Sequence, residues 1–145
     1  VASYNKHEYR RASHEKFGAA SDAFLSGHYA VSHYLAGVSV ECMLRAFRWA
    51  IDPRFDAKHD LKELTKKSGV LIRLPAAKQA GVRDALNAMA VRWSVSHRYA
   101  PEDRLETYLK LILPNEGKSK ILKTNANDML EWNQLILTEC DPRCP

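Results

Sequence analysis

The stretch His28–Ile51, HYAVSHYLAGVSVECMLRAFRWAI, decides the fold. At helical spacing it carries one apolar face through Ala36, Val40, Met43, Phe47 and Ile51, and a second through Val31, Leu35, Val38, Cys42 and Trp49. A helix that is apolar on two sides must be covered on two sides, so this one belongs at the centre of a bundle. Ala36, Gly37 and Ser39 are small enough to let a neighbouring helix approach closely, within the chain or across a dimer.

Upstream, Tyr9, Ala12, Phe17, Ala20 and Phe24 form a stripe between charged residues, which predicts a first helix from about Asn5 to Leu25, ended by Ser26-Gly27. Downstream, Asp52-Pro53 breaks the central helix, because proline disfavours the helical conformation in the residue before it. Asp60-Leu61-Lys62-Glu63 is a capping pattern in which Asp60 accepts from first-turn amides and Glu63 can reach back. Lys66-Lys67 and Gly69 close this short third helix. Pro75 opens a fourth, with Val82, Leu86, Met89, Ala90 and Trp93 as its stripe. Pro101, followed by Glu102 and Asp103, opens a fifth that buries Leu105, Tyr108, Leu109 and Ile112. Pro114-Asn115-Glu116-Gly117 stops it, and a last helix is expected from about Lys118 to Thr138. The expectation is an all-α bundle of five to six helices, one domain over 1–139, with an irregular tail over 140–145.

At 145 residues and 46% hydrophobic content, the chain has enough apolar surface for one core. A formal net charge of +5 favours anionic partners without demanding them. Cys42 sits within an apolar helical pattern while Cys140 and Cys144 lie near the end beside two prolines, so no disulfide framework is evident and a reducing cytoplasm is the simpler location. No apolar run approaches the ~20 residues a membrane span needs, and the polar N-terminal stretch is unlike a signal peptide. The sequence begins at Val1, not Met, which suggests residues before it.

The segment richest in chemistry is Arg92–Pro101, RWSVSHRYAP. Arginine can clamp a phosphate through two parallel hydrogen bonds, and histidine can move protons near neutral pH, so Arg92 and His97 together could cleave a phosphodiester without a metal. Five positions on an ideal helix separate them by roughly 140° at ~100° per residue, so convergence needs a distortion near the helix end or a two-fold dimer. The alternative is that Arg92 pairs with a surface carboxylate and His97 fills a helix end. Trp93 and Tyr99 either stack on nucleobases or serve packing.

Glu41 and Arg45, at i and i+4, can pair, and a buried pair would orient the site or the dimer. In Lys58-His59-Asp60-Leu61, His59 is expected as a structural hydrogen-bond partner and Asp60 as a cap. The spacings of His7, His14, His28 and His33 suit no shared metal, and neither a metal nor a cofactor is expected.

The run His33–Phe47, HYLAGVSVECMLRAF, followed by Lys58-His59-Asp60-Leu61 and then by Trp93 with Arg98-Tyr99, resembles the HEPN domain superfamily. The likeness covers roughly Ala30–Pro101 and implies an up-and-down helical bundle that commonly dimerises. Many members are metal-independent endoribonucleases whose arginine and histidine meet across the dimer. Carried onto this chain, that pair is Arg92 and His97, with Arg98 and Tyr99 contacting RNA or shaping the site. The resemblance further implies a toxin or phage-defence setting and a nucleotidyltransferase-type antitoxin as partner. Other members resemble non-catalytic modules that bind a nucleotide or a partner protein, and the Trp to Arg-Tyr pattern occurs there too.

Overall fold

The computed structural model describes residues 4–54 and 59–145. They form six α-helices: α1 (Lys6–Leu25), α2 (Tyr29–Ile51), α3 (Leu61–Ser68), α4 (Ala76–Arg92), α5 (Glu102–Ile112) and α6 (Ile121–Cys140). Three short 3₁₀ turns, at Leu71–Arg73, Val95–Tyr99 and Asp141–Arg143, link or extend them, and no strand occurs among the described residues. The protein is an all-α helical bundle.

Local chemistry sets the helix ends. The Asn5 side chain accepts from the Glu8 amide at 2.9 Å, and that of Asp60 from the Glu63 amide at 3.1 Å, each supplying an acceptor to a first-turn donor. Glu63 does not complete the expected reciprocal box; its carboxylate turns to Lys67 at 3.0 Å, one turn on. Gly69 closes α3 at φ 66°, a left-handed conformation that suits glycine.

The centre of the bundle is α2, packed against α1, α3, α6 and the 95–99 turn. Its buried residues include Ala36, Val40, Met43, Leu44 and Phe47, which share a core with Leu64, Leu86, Met89, Met129 and Ile136. A smaller apolar cluster, Leu105, Leu109 and Ile121, seats α5 against α6. The small residues of α2 are used within the chain. Ser39 Oγ donates to the Ser13 carbonyl, and Ser13 Oγ to the Ser39 carbonyl, both at 2.7 Å, which draws α1 onto α2.

Two expectations are corrected. The last helix begins at Ile121, because Gly117–Lys120 closes a turn first. At the other end, 140–145 is not an irregular tail: Cys140 is the fully buried last residue of α6, and Asp141–Arg143 continues as a 3₁₀ turn. Pro142 suits the start of such a turn, where its missing N–H has no partner to lose. Arg10 of α1 then holds Asp141 at 2.8 Å.

Candidate functional site

The site is built at the point where α4 stops. The helix ends at Arg92, and Trp93 and Ser94 are extended, with φ/ψ of −114°/140° and −140°/147°. This break precedes Pro101 by a full segment, and its cause lies across the bundle. Trp93 drops its indole onto α2 at Gly37, donating Nε1–H to the Tyr34 carbonyl at 3.1 Å and stacking on the Tyr34 ring at 5.9 Å. Only 5% of Trp93 is exposed, so its role is architecture and it has no free face for a nucleobase.

After the break, the chain turns back through Val95–Tyr99. Ser94 Oγ accepts from the Ser96 amide, and the Ser94 amide donates to Nδ1 of His97 at 3.2 Å. The same Nδ1 lies 2.9 Å from Nε2 of His33, a wholly buried residue of α2. The Tyr108 ring, from α5, meets the His97 ring in an edge-to-face arrangement with centroids 4.8 Å apart, and the Tyr108 hydroxyl donates to the Val91 carbonyl. Nε2 of His97 has no hydrogen-bond partner among the described residues and is not fully enclosed.

Behind this pair the polar contacts continue into α6. Nδ1 of His33 lies 2.8 Å from Nδ2 of Asn125, which is fully buried. Oδ1 of Asn125 accepts from Nη1 of Arg92 at 3.4 Å, and the same Nη1 pairs with Asp128 at 2.8 Å. The Arg92 guanidinium lies 4.7 Å from the centre of the Trp132 ring. Its Nε and Nη2 have no hydrogen-bond partner among the described residues. Arg92 and His97 therefore do not touch; they are the two ends of one intrachain network, Arg92–Asn125–His33–His97.

Burial sets the protonation states. His33 is pushed down to about 3, first by burial and then by the charges of His97 and Arg92, so it is neutral. Burial also lowers His97 below the ordinary histidine value. Burial raises the Cys42 thiol to about 11 and the Cys140 thiol to about 12, which keeps both from acting as thiolate nucleophiles near neutral pH.

The other expected residues fall into two groups. Arg98 and Tyr99 are exposed beside His97, with the guanidinium 5.5 Å from the tyrosine ring centre. Glu41, Arg45 and His59 form a separate cluster ~10 Å further along α2 from Tyr34, at 1.5 Å per residue. There, Oε2 of Glu41 accepts from Arg45 Nε at 2.9 Å and meets His59 Nδ1 at 2.8 Å, tying α2 to the approach to α3. Asp60 is the α3 cap, and Lys58 lies outside the described residues.

A concavity of about 540 Å³ opens between α3 and α4, beside Lys62, Lys66, Arg83 and Leu86, but neither Arg92 nor either network histidine lines it. Among the described residues no group of three or more histidine, cysteine or acidic side chains converges to hold a metal, and no helix is long and apolar enough to cross a membrane.

His33, Asn125, Asp128 and Trp132 join the site although the motif around Arg92 and His97 does not point to them. A signal was present: a histidine within the most apolar helix, and three polar or aromatic residues at i, i+3 and i+7 on one face of α6. Compared with protein-family profiles, curated proteins and solved structures, the chain matches none of them.

Proposed function

We propose that the protein is a HEPN-like, metal-independent endoribonuclease of toxin or defence type, acting in the cytoplasm as a homodimer with its cleft lined by Arg92 and His97. The observation that carries this reading is the fixed ring of His97. Its Nδ1 is engaged from inside by Ser94 and His33 while Nε2 is left for a substrate, on the same network as an arginine with unused donors. Attack of a ribose 2′-oxygen forms the O2′–P bond as the P–O5′ bond breaks, giving a 2′,3′-cyclic phosphate and a 5′-hydroxyl. The 2′-hydroxyl proton passes to solvent and the 5′-oxygen takes one from it. Arg92 and His97 stabilise the charge that builds on the phosphoryl oxygens between these events. RNA is the substrate class because DNA lacks the internal nucleophile. A nucleotidyltransferase-type antitoxin is the proposed partner.

The test is an RNA cleavage assay in the presence of chelator. Arg92→Ala and His97→Ala each lower the rate at least ~100-fold, the usual scale for losing a group that stabilises transition-state charge. Equal rates for the variants and the unmodified chain remove both residues from the chemistry.

A second reading, a non-catalytic HEPN-like module binding a nucleotide or partner protein, is favoured by one observation. Asp128 already neutralises Arg92, whose side chain is only 13% exposed. Under that reading the purified chain leaves RNA intact and retains its ligand when His97 is replaced.

A further inference from the structure

The network between Arg92 and His97 has only one consistent arrangement of protons. A backbone N–H can only donate, so the contact from the Ser94 amide makes Nδ1 of His97 an acceptor, with its lone pair facing inward. Nε2 of His33, on the same lone-pair side at 2.9 Å, must then carry a proton. A neutral imidazole has one N–H, so Nδ1 of His33 is bare and accepts from the Asn125 amide nitrogen at 2.8 Å. That orientation turns Oδ1 of Asn125 towards Arg92, whose guanidinium can only donate. Each contact agrees with the next, and the opposite orientation of Asn125 would set two donors against each other at Arg92.

We infer that the Ser94 amide at one end and Arg92 at the other, acting through Asn125 and His33, together lock one proton pattern, so that neutral His97 meets its substrate with a proton on Nε2, as a hydrogen-bond donor and not as a base. His33 and Asn125 are thereby positioning residues. They are wholly buried, reach no solvent, and act only through the rings and amides they hold. The charged and titratable groups around the pair include Arg92 of α4, Asp128 of α6, Tyr108 of α5 and Arg98, the residue after His97. Arg92 opposes a second proton on His33, and Asp128 limits that effect by pairing with the guanidinium.

For catalysis this deepens the proposed nuclease reading and rests on it. A neutral imidazole that gave up its Nε2 proton would become an anion, so no proton leaves His97 in this state. Its contribution is a hydrogen bond to a phosphoryl oxygen, alongside the free donors of Arg92. A general base at Nε2 would need the other tautomer, which the Ser94 amide disfavours.

The experiment is a long-range ¹H–¹⁵N correlation spectrum of histidine-labelled, unliganded full chain near neutral pH. Both His33 and His97 are expected as the Nε2–H tautomer; an Nδ1–H tautomer at either overturns the inference. Arg92→Met frees Asn125 to rotate, so a second tautomer population should appear at His33 and His97, and an unchanged spectrum removes Arg92 from control. Asn125→Asp supplies only acceptors, so it should place a proton on Nδ1 of His33, and a bare Nδ1 in that variant also overturns the proposal. The spectra need no RNA. Expected tautomers in a chain that never cleaves RNA sustain the proton pattern and dismiss the nuclease.

Discussion

An added Cβ at Gly37 would overlap the Trp93 indole at Nε1, Cδ1 and Cε2. Those are ring atoms of a buried side chain, with no rotatable end to move aside. Gly37→Ala is therefore expected to cost about 3 kcal/mol, the upper part of the usual overpacking range, read as a lower urea midpoint at unchanged slope. Because Trp93 leads into Ser94 and His97, the same substitution should disturb the His97 resonance. His33 gives a second expectation. Its pKa is about 3 when folded, against an ordinary 6.5, so the unfolded chain binds the extra proton. The stability this contributes is complete above about 6.5 and is lost as pH falls towards the folded value. The slope is at most ~1.4 kcal/mol per pH unit for one group. His97, lowered in the same direction, steepens it. Urea titrations across that window should show this loss, and His33→Phe should flatten it. At this scale the sequence showed which residues were chemically notable but not which would meet. Arg92 and His97 were visible as a pair; the buried histidine and asparagine between them were not, because their link spans 92 positions and exists only after folding.

At the scale of elements, helices were legible because their ends carry their own chemistry. Asn5, Asp60 and Gly69 each act where local rules place them, while Pro75 stands one residue ahead of the expected first turn, as the N-cap of α4. The break after Arg92 was not legible, since nothing in residues 90–96 forbids a helix; the Trp93 pocket on α2 imposes it. The α1–α2 crossing was hidden for a similar reason. Ser13 sits on a helix whose apolar stripe omits it, yet it is fully buried against Ser39. Ser39 also accepts from Asn133 Nδ2 at 3.0 Å, whereas Ser13 serves α1 and α2 alone. Ser39→Ala strands a buried amide donor in α6 in addition to losing the crossing bond. It should cost about 2–3 kcal/mol, against about 1 kcal/mol for Ser13→Ala, in paired denaturation curves. Equal losses would mean that Asn133 finds another acceptor.

For the whole molecule, the proposed homodimer changes its footing. Ala36, Gly37 and Ser39 are buried within one chain, so the small-residue face of α2 offers nothing to a second copy. Exposed near His97, alongside Ser96 and Arg98, are the apolar side chains of Val91, Val95 and Tyr99, the last 79% accessible. A two-fold pairing through that surface would set two copies of His97 side by side. Sedimentation velocity should accordingly give a dimer that Tyr99→Asp converts to monomer without lowering the melting temperature. A monomer at high concentration overturns the proposed homodimer and its shared cleft.

The guanidinium lying over Trp132 gives the molecule a built-in optical reporter. Indole emission responds to a charge close to the ring, so an anion that draws Arg92 away from Trp132 should alter its colour or brightness. Titrating mononucleotides against the intrinsic fluorescence should then give a change that Trp132→Phe abolishes, since Trp49 and Trp93 emit in the same band.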